Sequence, residues 1–298
     1  MALTLEEAIG RVPQWKGAKP KTIPLGGGIT NQNYRVDIGD ESFVLRIVGE
    51  KTELLGINRE YEYAASLAAG NLGIAPQVYY YIQPEGYLVT RFITARPLPP
   101  DEIRQPENLR KVAELVKKLH GMHPIPGSFS VYQIVEDYAS TARRYNVTLP
   151  ENFEWLREQM YTAKQAFDKD PLPLCPCHND LLNENFLQQD GKIYLLDWEY
   201  AGMGDPFFDL ANFAVHHKLT DEEDQYFLSC YFDQVTQTRW ARLKIMKVLS
   251  DFREAMWAVV QIGISKLDFD YQAYADKHFD RMTQNIKDPR WGQWLAVF

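Results

Sequence analysis

The sequence predicts an α+β protein of two lobes, in which a small antiparallel-sheet lobe with one helix precedes a larger, mainly helical lobe. In residues 1–94 short β-like runs alternate with turns, whereas residues 95–298 carry apolar side chains mainly at helical spacing. A proline-rich stretch, TARPLPPDEIRQPEN, begins at this change and marks the predicted lobe boundary near residue 94. At 298 residues the chain is long enough for two lobes.

The first lobe is predicted to open with a β-hairpin. The β-like runs 34–38 and 43–48 are joined by Gly39-Asp40, and the alternation in FVLRIV predicts that Arg46 projects from one face. A helix is expected over INREYEYAASLAAGN, and a second hairpin around Pro84-Glu85-Gly86. The apolar stripe predicted for this helix consists of Ile57, Tyr61, Ala64 and Ala68.

The second lobe is predicted to be helical except for one polar segment. The stretch ENLRKVAELVKKLHGMH has helical spacing, as do residues 134–168 and 221–282. Residues 175–197 instead read as a polar loop, CHNDLLNENF, followed by the short strand KIYLLD.

Charge and cysteine usage narrow the class of protein. A net charge of −8 and a pI of about 5.4 argue against general binding of nucleic acid. The three cysteines lack the repeated spacing of a zinc site, and no segment is typical of a leader or a membrane span. We therefore expect a cytoplasmic protein without membrane insertion, and the sequence leaves its oligomeric state open.

The polar segment carries an ordered set of candidate catalytic residues. Asp180 is followed by Asn185, and Asp197 ends the next strand. One carboxylate able to accept a proton, with an amide oxygen and a second carboxylate able to hold Mg²⁺, suits transfer of a γ-phosphoryl group from ATP to a hydroxyl. The order agrees with the kinase pattern H-x-D-x-x-x-x-N followed by a metal-binding Asp.

Each of these residues also has a simpler interpretation. A single Asp or Asn in a loop is usually a turn former or a helix cap, but the complete ordered set favours catalysis. The glycines of GGG at 26–28 suit any tight turn, although their N–H groups could also line a phosphate. Arg46 is either a solvated strand residue or a phosphate ligand, and in the second case Glu60 is the expected acid that braces it. The alternative for Glu60 is an ordinary glutamate that faces the solvent.

Six segments together resemble the choline and ethanolamine kinase family: GGGITNQNY, FVLRIVG, NREYE, CHNDLLNENFL, LLDWEYAGMGDPFFDLANF and MWAVVQIGISKLDFDYQAYA. The resemblance implies a protein-kinase-like bilobal fold of the aminoglycoside phosphotransferase-like branch. It implies Asp180 as the catalytic base and Asn185 and Asp197 as Mg²⁺ ligands. At the nucleotide it implies Gly27, Gly28, Asn31, Arg46 and Glu60. His178 is expected to pack beneath the metal-binding acid. Asp209 is expected to steady the loop, to cap the helix before LANFAVHH, or to do both.

The same resemblance concerns the substrate. Trp257 and Tyr274 match aromatic positions that enclose the trimethylammonium group in choline kinases, a cation–π arrangement. Eukaryotic choline kinases carry a further tryptophan at the position of Glu254, so the expected cage is less aromatic here.

The sequence thus predicts an ATP- and Mg²⁺-dependent kinase for a small cationic alcohol, most readily choline, or else ethanolamine. The alternatives are a kinase of the same fold for thiamine, a sugar or an aminoglycoside, and a non-catalytic binding protein. A purely structural domain would leave the ordered acids unexplained.

Overall fold

The structure, a computed structural model, describes residues 3–26 and 31–298. The strands along these residues are β1 (Lys21–Leu25), β2 (Gln32–Ile38), β3 (Glu41–Ile47), β4 (Val78–Ile82), β5 (Tyr87–Arg91), β6 (Arg96–Pro97), β7 (Cys175–Cys177), β8 (Phe186–Gln189), β9 (Lys192–Leu195) and β10 (Gly202–Gly204). The α-helices are α1 (Leu5–Gly10), α2 (Arg59–Asn71), α3 (Pro100–Ile103), α4 (Pro106–His120), α5 (Val131–Arg144), α6 (Phe153–Phe167), α7 (Pro206–His216), α8 (Asp221–Tyr231), α9 (Gln237–Ile264), α10 (Tyr271–Lys287) and α11 (Arg290–Leu295).

The chain folds into two compact units. Unit 1 contains Met1–Leu98 and Glu184–Glu199, and unit 2 contains Pro99–Asn183 and Tyr200–Phe298. The sequence pattern predicts that 184–199 belong to the second lobe, whereas the structure groups these residues with unit 1. The reason is strand pairing, because β8 pairs with both β6 and β9 and anchors the β8–β9 hairpin in unit 1.

Unit 1 is built on a five-stranded antiparallel sheet. Its strand order is β1-β2-β3-β5-β4, so both predicted hairpins are confirmed as β2–β3 and β4–β5. Phe43, Leu45 and Ile47 of β3 point into a core that includes Trp15. Because side chains alternate along a strand, this burial places Arg46 on the opposite face of the sheet.

Helix α2 has a different buried face from the one that the sequence predicts. Tyr61, assigned to the apolar stripe, is 42% exposed, whereas Glu62, Ala65 and Ala69 are buried. The segment is rich in alanine, so several faces of the helix look equally apolar in sequence. The face that is buried also carries an acidic residue, so the hydrophobic pattern does not identify it. A further short helix, α1, precedes the sheet.

Unit 2 is mainly helical, as the sequence predicts. Helices α4, α5, α6, α8, α9 and α10 occupy the segments with helical periodicity, and α5, α7 and α10 pack against the long helix α9. Strands β7 and β10 form a small antiparallel ladder, and β7 leads directly into the polar loop. Across the described ranges no helix combines the length and the apolar character needed to cross a membrane.

Candidate active site

Arg46 presents its guanidinium group to three acidic side chains of unit 1. Its Nη1 lies 2.8 Å from Asp197 Oδ1 and 3.9 Å from Glu199 Oε1. Its Nη2 forms an ion pair with Glu62. The arginine side chain is only 11% exposed, which excludes the alternative of a solvated strand residue.

The acid of α2 that pairs with Arg46 is Glu62, which corrects the expectation that Glu60 braces the guanidinium group. Glu62 is 2% exposed, whereas Glu60 is exposed and accepts hydrogen bonds from side chains of the β4–β5 hairpin. Residues two apart on a helix point about 200° away from each other, so the two acids face different sides. The signal that would have found Glu62 is its i, i+3, i+7 spacing with Ala65 and Ala69.

Arg59 is a second cation of this site, and no sequence motif predicts it. Its Nη1 lies 2.7 Å from Glu62 Oε2 and 2.8 Å from Glu199 Oε1. Its Nη2 donates to Thr52 Oγ1 at 3.0 Å. Three carboxylates therefore meet two guanidinium groups, which leaves an excess of negative charge. We call the following residues the charge cluster: Arg46, Arg59, Glu62, Asp197 and Glu199.

The two acids that follow β9 differ in their protonation behaviour. Partial burial raises the pKa of Asp197 to about 6, and the neighbouring Glu199 carboxylate adds to this effect while Arg46 opposes it. Burial also acts to raise the pKa of Glu199, but Arg59 and Arg46 outweigh it and lower that pKa below its ordinary value. The Asp197 side chain is 36% exposed, so a cation from solution can reach it.

One end of the β8–β9 hairpin fits a hard divalent cation. Asn185 directly precedes β8, and its backbone oxygen accepts from the Leu196 N–H at 2.9 Å, so Asn185 and Asp197 lie at the same end. Carboxylate oxygens of Glu62, Asp197 and Glu199 lie within 4.8 Å of one another. Carboxylate and amide oxygens are the ligands that Mg²⁺ prefers, so this donor set fits the ion.

The glycine-rich segment is described only in part. Gly27 and Gly28 lie outside the described residues, so their contact with a phosphate stays a prediction. Asn31 is buried, and its Nδ2 donates to Glu199 Oε1 while its Oδ1 accepts from the Gly49 N–H at 3.4 Å. Asn31 therefore orients an acid of the charge cluster, and its predicted contact with the nucleotide stays a prediction.

In unit 2, helix α7 holds the backbone of the polar loop. Asp209 accepts from the His178 N–H at 2.9 Å and from the Asn179 N–H at 2.7 Å. Asn212, one turn later, accepts from the Leu181 N–H at 2.6 Å. The backbone on both sides of the predicted base is thus fixed by two side chains of one helix face.

The alternative role for Asp209, as a helix N-cap, is wrong. Asp205 caps α7, because its Oδ1 accepts from the Phe207 N–H at 2.9 Å. His178 is fully buried in unit 2. Asp197 belongs to unit 1, so the predicted packing of His178 beneath Asp197 stays a prediction.

Arg253 of α9 joins the predicted base to a buried acid. Its Nη1 lies 3.3 Å from Asp180 Oδ1 and 2.6 Å from Glu254 Oε1. Burial acts to raise the pKa of Glu254, but the charges of Arg253 and His216 outweigh it and hold that pKa well below its ordinary range. Glu254 is therefore an ionised acid that already has a cationic partner within unit 2.

Trp257 and Tyr274, the aromatic residues predicted to bind the substrate, lie in contact with each other. Both connect to Arg253 and Glu254. The ring centroids of Trp257 and Tyr274 are 5.9 Å apart, with their planes at 66°. Trp257 Nε1 donates to Tyr200 OH at 3.1 Å, and Tyr274 OH donates to Glu254 Oε2 at 3.0 Å. The guanidinium group of Arg253 lies 4.3 Å from the Tyr200 ring centroid. Unit 2 thus brings the predicted base and both aromatic residues into one connected group.

The chain is similar in sequence to known proteins. Residues 23–240 match the family model described as choline/ethanolamine kinase. Protein LicA of Haemophilus influenzae is 29% identical over 252 residues, covering 80% of this chain and 74% of that protein. Ethanolamine kinase 2 of Mus musculus is 27% identical over 305 residues, covering 90% of this chain and 77% of that protein.

Two solved structures extend the comparison. A choline/ethanolamine kinase family protein from Mesorhizobium loti is 30% identical with a TM-score of 0.84, covering 97% of this chain and 96% of that one. The structure of LicA in complex with AMP is 25% identical with a TM-score of 0.79, covering 95% and 96%.

The antiparallel-sheet unit, the helical unit and the ordered acids define a phosphotransferase of the kinase-like fold. Since the family model matches well over half of the chain, the protein belongs to the choline/ethanolamine kinase family.

Proposed function

We propose that this protein transfers the γ-phosphoryl group of ATP to the hydroxyl of choline or ethanolamine, with choline preferred. The observation that carries the proposal is the connected group in unit 2, in which Arg253 and Glu254 link Asp180 to Tyr274. A base next to an aromatic surface suits an alcohol that is small and cationic. The fit of the family model supports the same reaction.

Asp180 is the base in this proposal. It accepts the proton of the substrate hydroxyl while the hydroxyl oxygen bonds to the γ-phosphorus, and ADP leaves. Arg253 orients the carboxylate through its contact with Oδ1. The loop backbone, held by Asp209 and Asn212, keeps the base in a fixed position.

Unit 1 is proposed to bind the nucleotide and the metal. Asn185 and Asp197 would hold Mg²⁺, which supplies positive charge to the transferring phosphoryl group. Arg46 would bind phosphate oxygens, because a guanidinium group can bond two of them at once. Glu62 takes the positioning role first expected of Glu60, since it holds Arg46 from α2.

Choice of substrate is proposed to depend on the aromatic pair. Half-buried Trp257 and Tyr274 offer ring faces to a quaternary ammonium group, an interaction of about 0.5–2 kcal/mol per ring. Glu254 does not replace the missing tryptophan as a free counter-ion, because Arg253 already neutralises it. The aromatic surface therefore favours choline over ethanolamine.

The test is a coupled assay of ADP release from MgATP with choline, ethanolamine, thiamine, a hexose and an aminoglycoside in parallel. We expect turnover of choline first and ethanolamine second, and its loss in Asp180→Asn, a variant of nearly the same size. Turnover of another alcohol alone would overturn the proposed substrate. ADP release that survives in Asp180→Asn would overturn the role of the base.

A further inference from the structure

Unit 2 contains a second group of metal-ligating side chains, formed by two cysteines of β7 and one histidine of α4. Cys177 Sγ lies 3.8 Å from both Cys175 Sγ and His120 Nε2. All three donor atoms lie within 4.8 Å of one another. The cysteine spacing alone does not predict a zinc site, because the histidine comes from a distant part of the chain.

The distances agree with those around a tetrahedral zinc ion. Two sulfur atoms bound at about 2.3 Å with a tetrahedral angle lie about 3.8 Å apart, and a sulfur and an imidazole nitrogen about 3.6 Å apart. Cys175 and Cys177 reach this spacing because side chains two apart on a strand share one face. The three donors therefore need only small side-chain movements to bind one ion.

Strand β10 places glycines opposite both cysteines, and the backbone of residues 127–129 packs closely against these glycines. In the β7–β10 ladder Cys177 is opposite Gly202 and Cys175 is opposite Gly204, so no side chain stands across from either sulfur. A Cβ added at Gly204 would lie 3.6 Å from Cys177 Sγ. A larger residue there would occupy the volume beside the thiol.

The histidine also has the outer partner that a metal-bound imidazole needs. His120 Nδ1 lies 2.7 Å from Tyr231 OH, so Nδ1–H can donate to that oxygen while Nε2 binds a metal. Cys175 is partly exposed and offers a path of entry, whereas Cys177 is buried. These are the features expected of a site that an ion can reach and then fill.

We propose that Cys175, Cys177 and His120 bind a thiophilic divalent cation of the zinc type, and that the bound ion inhibits the enzyme. Two thiol protons are released to solvent as two metal–sulfur bonds form, and the Nε2 lone pair supplies the third bond. The fourth position is left for water.

Inhibition follows from a contact that the metal must break. His120 Nε2 lies 3.0 Å from Asp209 Oδ2, the same oxygen that accepts from the His178 N–H. Nε2 cannot donate a proton to Asp209 and bind a metal at once. When the site is occupied, Asp209 loses its hydrogen bond from His120. Asp209 is the residue that holds the loop of the proposed base, Asp180.

The test begins with metal-free protein titrated with Co²⁺. We expect one equivalent to bind with sulfur-to-cobalt charge-transfer absorption, and Zn²⁺ to displace it. Cys175→Ser removes one sulfur and should weaken Zn²⁺ binding about tenfold or more. Cys230→Ser is the matched control, because this third cysteine lies on α8 outside the group and should leave the spectrum unchanged.

The second measurement is ADP release in buffered free Zn²⁺ with Mg²⁺ in excess. The wild type and Cys230→Ser should lose activity over the range of free Zn²⁺ in which zinc displaces cobalt. Cys175→Ser should need about tenfold or more free Zn²⁺ for the same loss. Absence of the charge-transfer band, or an equal band in Cys175→Ser, would overturn the site whatever the substrate proves to be. Stoichiometric binding without loss of activity would overturn its coupling to Asp209.

Discussion

Arg253 and Glu254 form a buried ion pair between consecutive residues of α9, with Nη1 and Oε1 2.6 Å apart and each side chain 2% exposed. Removal of the arginine leaves the buried Glu254 carboxylate with His216, 3.5 Å away, in place of a permanently charged partner. We expect Arg253→Met to lower the free energy of unfolding by about 3–5 kcal/mol, measured by urea denaturation. The same variant should lose activity, because Asp180 loses its orienting partner.

The control for this prediction is the double variant Arg253→Met with Glu254→Gln. Glutamine keeps the shape of the acid and removes its charge, so the double variant should unfold less readily than Arg253→Met alone. Its activity should remain low if the arginine is needed to orient Asp180. Equal stability of the wild type and Arg253→Met would contradict the energetic role of the pair.

Glu62 and Glu60 allow a matched comparison on one helix. Glu62→Gln removes the α2 carboxylate that holds Arg46 and should lower kcat/KM for ATP about 10–100-fold, as loss of a positioning partner typically does. Glu60→Gln alters an exposed acid and should stay close to the wild type. The measurement is steady-state kinetics with varied ATP. A larger effect from Glu60→Gln than from Glu62→Gln would show that Glu60, not Glu62, holds Arg46.

The aromatic pair can be tested with two changes at Trp257. Trp257→Phe keeps a ring, whereas Trp257→Leu keeps only apolar bulk. Loss of one cation–π contact of about 0.5–2 kcal/mol corresponds to about a 2- to 30-fold rise in KM for choline in Trp257→Leu. Trp257→Phe should show a smaller rise. If both variants raise KM equally, the ring face does not bind the cation.

His217 makes unit 2 sensitive to acid. Burial lowers its pKa to about 3, although the hydrogen bond from Nδ1 to the Phe213 oxygen opposes this effect. In the unfolded chain histidine titrates near its ordinary pKa of about 6.5, so below that pH the unfolded state binds a proton that the native state does not. Stability therefore falls as the pH falls, by about 2 kcal/mol from this residue between pH 8 and pH 5.

Denaturation of the wild type and of His217→Asn at both pH values isolates this contribution. Asparagine can donate to the Phe213 oxygen but does not titrate, so the variant should lose less stability on acidification. The same pH dependence in both proteins would show that other groups cause it.

The fold was largely predictable because periodicity reports burial directly. The hairpin at Gly39-Asp40 and the helix α4 are confirmed, since each has a plain apolar pattern and turn residues. The placement of 184–199 in unit 1 was not predictable in this way. It depends on the pairing of β8 with β6, a contact between segments far apart in sequence.

Candidate site residues can be predicted from the sequence where they belong to one local motif. They cannot be predicted where their role depends on an ion pair with a residue far away in the sequence. The spacing of Asp180, Asn185 and Asp197 predicts them as candidates from the sequence alone, and their roles stay predictions. By contrast, Glu62 and Arg253 are charged residues on buried helix faces, and only their distant partners explain why they are buried. Patterns of hydrophobicity count such residues as surface.

The most direct measurement is identification of the product. The protein is incubated with MgATP and choline, and phosphorus NMR follows the γ-phosphorus signal of ATP. The account predicts a new phosphate monoester resonance that grows as ADP forms, and none with Asp180→Asn. Release of inorganic phosphate without an ester, or ester formation by Asp180→Asn at the wild-type rate, would contradict it.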